Sequence, residues 1–121
     1  MRFVVVSSLI LCFAGCAKPN TILAGGKPVS YWLQAAQDPD PRLRKQAVFK
    51  LGNVGPSEAQ ALPAVTAALK DPDASVRREA ILALVKFGPD AKSAMPILAE
   101  LRQKDRDPQV RKYAGMALEK L

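Results

Sequence analysis

The feature that most constrains this chain is that it repeats. DPDPRLRKQAVFKLGNVGPS, residues 38–57, returns as DPDASVRREAILALVKFGPD at residues 71–90 and, shortened, as DRDPQVRKYAGMALEKL at residues 105–121. The offset is 33 residues for the first step and 34 for the second. A period of this size is one supersecondary unit whose apolar face finds cover only on its neighbours, so the units must stack.

Each unit opens with a helix. Leu43, Ala47, Val48 and Leu51 fall at i, i+4, i+5 and i+8, one face of a helix. Val76, Ala80, Ile81 and Leu84 repeat the pattern, and Val110, Ala114, Gly115 and Leu118 repeat it again with a glycine in place of a larger residue. Asp40 before Pro41 and Asp107 before Pro108 place an N-cap ahead of a proline at the first helical position, where its missing N–H costs nothing. Asp73 before Ala74 is the same cap without the proline. Gly52, Gly55 and Gly88 are read as helix stops.

A second helix follows in two of the units. Leu62, Val65 and Leu69 line one, and Met95, Leu98 and Leu101 line the other. Pro63 and Pro96 match across the repeat, so each helix is expected to become regular close to its proline, because a proline deep inside costs about 3 kcal/mol. Tyr31 and Trp32, in a short leading helix, are expected over the apolar start of the stack. At the far end the last helix has no second helix after it in this chain. Arg111, Lys112, Glu119 and Lys120 are expected to point outward there as a polar cap, with docking on another chain as the alternative.

The tetratricopeptide and ankyrin signatures are missing. The pattern DPDxxVRxxAxxAL, then Gly-Pro, then x-P-x-L, resembles short HEAT-like repeats of the type found in phycobilisome lyases. The resemblance spans residues 30–121 and implies an all-α, right-handed α-solenoid of about six helices, with repeats near 38–70 and 71–104 and a partial one at 105–121.

The N-terminus carries a different signal. One basic residue, Arg2, precedes an apolar run from Phe3 to Ala17, too short for a membrane span of about twenty residues but suited to a signal peptide. Ala14 and Gly15 lead into Cys16, which resembles the lipobox of bacterial lipoproteins, although Phe13 stands where leucine is usual. That resemblance implies removal of residues 1–15, acylation of Cys16 with palmitate-type chains, and a cell-envelope location, the outer membrane favoured because Ala17 is not aspartate. Residues 16–29, with two prolines and adjacent glycines, read as a flexible linker.

The formal charge is +7. Arg44, Arg77 and Arg111 recur in register with Asp38, Asp40, Asp71, Asp73, Asp105 and Asp107, so they are read as a structural ladder rather than as phosphate ligands. The neighbouring Lys45, Arg78 and Lys112 are the better candidates for touching a partner. Nucleic acid is not favoured, because few aromatic side chains are interleaved for base stacking.

Catalysis finds no foothold. Histidine is absent, both cysteines lie within the first sixteen residues, and Ser57 and Ser93 have no base to activate them. No catalytic residue, metal ligand or cofactor is assigned. The expectation is a membrane-tethered module that binds an unidentified protein. The alternative is a cytoplasmic basic module that binds nucleic acid or joins a lyase-type complex.

Overall fold

The computed structural model describes residues 23–121, and the expected signal peptide and Cys16 lie outside them. The described chain holds a two-stranded hairpin, β1 (Leu23–Ala24) and β2 (Lys27–Pro28), and six helices. These are α1 (Val29–Ala35), α2 (Pro41–Val54), α3 (Ala61–Ala68), α4 (Ala74–Phe87), α5 (Met95–Lys104) and α6 (Pro108–Lys120). The fold is an all-α solenoid. Among the described residues no helix is long and apolar enough to cross a membrane.

Helices α2, α4 and α6 form one row, α2 packed on α4 and α4 on α6. The other helices attach to that row: α1 on α2, α3 on both α2 and α4, and α5 on α6. One core runs through the stack. Val48, Leu51, Val65, Leu69, Val76, Leu84, Leu98 and Val110 are wholly buried in it. Most of these are the positions at which the repeat demands an apolar residue.

The caps form as the aspartates require. Asp40 accepts from the Arg42 N–H at 2.9 Å, Asp73 from the Ser75 N–H at 2.8 Å, and Asp107 from the Val110 N–H at 2.9 Å. Pro63 and Pro96 lie in the first turns of α3 and α5, where no intrahelical donor is lost. Gly55 and Gly88 end α2 and α4 with φ of 67° and 62°, a region that strongly favours glycine.

Two expectations are corrected here. Gly52 is not a stop: it lies inside α2, buried against α4. A Cβ at Gly52 would come within 2.7 Å of Ala83 Cβ, so this glycine sets how closely the two helices approach. The linker expected through residue 29 is also shorter than its composition suggests. Residues 23–28 fold back as the hairpin, and Val29 already belongs to α1. Gly25 and Gly26 form the turn at positive φ, and Trp32 Nε1 donates to the Ala24 carbonyl at 2.6 Å. That bond satisfies the indole N–H of a buried ring.

Trp32 therefore closes the start of the stack, as expected, while Tyr31 lies outside it, edge-on to Trp32 and under Lys27. Lys50 completes this end. It occupies the position that Ala83 and Ala117 hold on the later helices, where a small side chain meets the preceding helix of the row. Among the described residues no helix of the row precedes α2, and Lys50 extends its stem past Gly25 towards Trp32.

Candidate interaction face

The charge ladder forms, and it is internal. Arg44 grips Asp71 with two bonds, Nε to Oδ2 at 2.8 Å and Nη2 to Oδ1 at 3.0 Å. Its remaining Nη1 donates to the carbonyls of Asp38 and Pro39. Arg77 repeats the arrangement one unit on, with Asp105 as the carboxylate and Asp71 and Pro72 as the carbonyls. Each guanidinium thus ties together two inter-repeat loops. The hydrogen bond to Asp71 raises the pKa of Arg44 above its already high ordinary value, so the guanidinium keeps its charge.

Asp71 and Asp105 each accept a backbone N–H two residues on as well. Asp71 and Asp105 are therefore occupied as clasps and Asp40, Asp73 and Asp107 as caps, while the Asp38 carboxylate accepts the Asp40 N–H. These residues are folding parts. Arg111 departs from the outward placement expected of it: it is half-buried and its Nη1 donates to the Asp105 carbonyl.

The three candidates for partner contact lie elsewhere, on the outer side of the α2–α4–α6 row. Lys45 and Lys112 are exposed and Arg78 is half-buried. One helical turn beyond each stands an apolar side chain in solvent: Phe49, Leu82 and Met116, exposed at 41%, 41% and 43%. They occupy equivalent positions in the three repeats, so stacking aligns them as a stripe. A groove of about 420 Å³ runs along it, lined by Phe49, Leu82, Val85, Tyr113 and Met116, with Lys86 and Lys120 at the margin. Lys86 Nζ stands 4.6 Å from the centre of the Phe49 ring, which draws the cation to the edge of the apolar strip.

The sequence reading found the basic row and missed the apolar one. The signal was available: Phe49, Leu82 and Met116 recur with the repeat yet fall off the buried i, i+4, i+5, i+8 face. A recurrent apolar residue on the wet side of a helix is not required by stacking. Single exposed apolar residues are ordinary, but a contiguous row rimmed by charge marks a contact surface. Glu79 is the one acidic side chain lining the groove, so the margins are predominantly positive.

A search of curated proteins returned no match to the chain. The family model for HEAT repeats matches residues 29–119. That span begins where α1 begins and takes in both full repeats, the clasped loops and α6. Stacked repeats of this kind present extended surfaces for protein interaction. On the repeat pattern, the stacked helices and the match across most of its length, the chain belongs to the HEAT repeat family.

Proposed function

We propose that this chain is a non-catalytic, membrane-tethered interaction module that binds another protein along the α2–α4–α6 face. The observation that carries the reading is the exposed row Phe49, Leu82 and Met116, flanked by Lys45, Arg78, Lys112, Lys86 and Lys120. A groove that is apolar along its floor and positive along its rim fits an amphipathic protein segment with acidic flanks. The apolar contacts supply most of the affinity, while the charges set orientation and speed of encounter.

The tether rests on the sequence alone: an apolar run of signal-peptide length, small residues, and then Cys16. Acylation with two or three chains would hold the module at a bilayer, where one chain would not. Such a location favours protein over nucleic acid as the partner.

A photoreactive residue placed at Met116, and separately at the exposed Ala67 on α3, tests the binding face in the native host. The expected result is a protein adduct formed from position 116 and not from position 67, identified by mass and then purified. Its affinity should fall at least about tenfold with Leu82→Glu, since a charge would enter the apolar floor. Equal adducts from both positions, an adduct with nucleic acid, or indifference to Leu82→Glu overturns the reading.

A further inference from the structure

Charge is distributed unevenly along the stack. No Asp or Glu stands between Cys16 and Gln37, nor between Pro41 and Ser57. The acids between these stretches, Asp38 and Asp40, gather at the start of α2, and Asp40 lies about 15 Å from Lys50 along the helix. The hairpin end is therefore basic. Lys27 stands on β2 and Lys50 on α2, and Lys18 precedes β1 in the sequence. Among the described residues neither Lys27 nor Lys50 is ion-paired.

The same end is amphipathic in a particular way. Leu23 turns away from the stack while its neighbour Ala24 is buried, and its 61% exposure exceeds that of every other large apolar side chain among the described residues. Tyr31 is exposed, with Lys27 Nζ 4.0 Å from the centre of its ring. Lys50 lays its stem along Gly25 and brings its ammonium 6.0 Å from the Trp32 ring. An outward leucine, a tyrosine, and lysines whose stems lie on apolar surface are the set that suits a bilayer interface. There the ring sits at headgroup level, the aliphatic side chain enters the acyl boundary, and each ammonium reaches a phosphate.

We infer that the hairpin end docks on an anionic bilayer through Leu23, Lys27, Tyr31 and Lys50, so that the solenoid stands end-on on the membrane. The inference rests on the acylated Cys16 proposed above. Cys16 lies seven residues before Leu23, so the anchoring lipid and the hairpin are at most about 25 Å apart. Docking at that range is intramolecular, and a patch too weak to hold a free protein suffices. Each lysine brought to an anionic surface multiplies the docked population about fivefold. Docking also sets the direction of the apolar stripe, which then runs away from the lipid. At one helix-packing distance per repeat, Leu82 stands about 10 Å and Met116 about 20 Å farther out than Phe49. The groove stays open to a protein partner.

The test uses protein purified from host membranes and placed in vesicles. The mass of its N-terminal peptide is read first: Cys16 without lipid removes the tether and this inference with it. With the lipid present, a fluorophore is attached through Ser30→Cys, beside Tyr31, or through Gln103→Cys on α5, both positions being exposed. Vesicles that contain phosphatidylglycerol and a lipid bearing a headgroup quencher should quench the label at position 30 and spare the one at position 103. Quenching should fall when phosphatidylcholine replaces phosphatidylglycerol. Lys27→Glu should lower the docked-to-free ratio at least about fivefold. Lys27 is exposed, so the exchange should leave thermal melting and the lipid anchor as they are. With the anchor present, equal quenching at the two positions, quenching indifferent to phosphatidylglycerol, or indifference to Lys27→Glu overturns the docking alone. So does a protein adduct, in place of lipid adducts, from a photoreactive residue at position 30 in host membranes.

Discussion

Arg77 and Asp105, twenty-eight residues apart in the chain, meet through two parallel bonds of 2.9 and 3.0 Å, Nε to Oδ2 and Nη2 to Oδ1. Arg77 is 8% exposed, and its third nitrogen holds two carbonyls of the preceding loop. Truncating it strands a buried carboxylate. Arg77→Ala should therefore destabilise the domain by about 3 kcal/mol, read as a lower denaturant midpoint. Arg77→Lys should recover little, because an ammonium cannot span both carboxylate oxygens and the two carbonyls.

The glycines of α2 and α6 should respond in opposite directions. Gly52→Ala pushes a methyl to within 2.7 Å of Ala83 Cβ and should cost about 1–3 kcal/mol through overpacking. At Gly115 a Cβ would meet only the flexible Arg102 side chain, at an ordinary 3.7 Å. Gly115→Ala should stabilise by about 0.5–1 kcal/mol, the helix-propensity difference. Thermal unfolding of the two variants checks both signs at once.

Acid should weaken the cap of α4. The Ser75 hydroxyl, and then the Val76 and Ser75 N–H groups, donate to Asp73 and hold its carboxyl below the usual range. The native state therefore binds this proton less readily than the unfolded chain. The resulting stability is fully present above the ordinary carboxylate pKa of about 4 and is lost as pH falls through the lower native value. Ser75→Ala should destabilise most at neutral pH and progressively less in acid. A difference that stays level from about pH 7 to about pH 2 would contradict this account.

Leu82→Glu should leave the fold nearly untouched, because its side chain stands in solvent between repeats, and surface exchanges usually stay within about 0.5 kcal/mol. Unchanged melting combined with lost partner binding separates a contact residue from a folding residue. Leu84→Glu, two positions on and wholly buried, should instead unfold the domain.

The tether has its own readout. The N-terminal peptide of protein taken from host membranes should begin at Cys16 and carry the mass of diacylglycerol plus a fatty acyl chain. A chain recovered from the cytosol and still beginning at Met1 would remove the envelope assignment.

The helices, their caps and their stacking order were legible because each is local or periodic. Asp40, Asp73 and Asp107 announce helix starts within four residues of chain, and the buried positions recur every 33 or 34 residues. The misreadings share one cause. Gly52 looks like a stop because glycine ends helices, and only the approach of Ala83 shows why it sits in the middle of one. The last residues of the expected linker look unstructured, yet Trp32 recruits the Ala24 carbonyl and folds them back.

By itself, the sequence determined the repeat, the helical class, the residues that must be buried and the presence of two recurrent basic positions per unit. Periodicity is a one-dimensional property, and stacking follows from it because an apolar face must be covered. Tertiary structure alone decided which base is consumed and which is free. Arg44 and Arg77 vanish into clasps with Asp71 and Asp105, while Lys45 and Lys112 stay in solvent beside Phe49 and Met116. Adjacent residues on a helix point about 100° apart, so one of each pair turns into the inter-repeat seam and the other faces out. Which one does so depends on where the neighbouring repeat places its aspartate, and only the packed stack defines that.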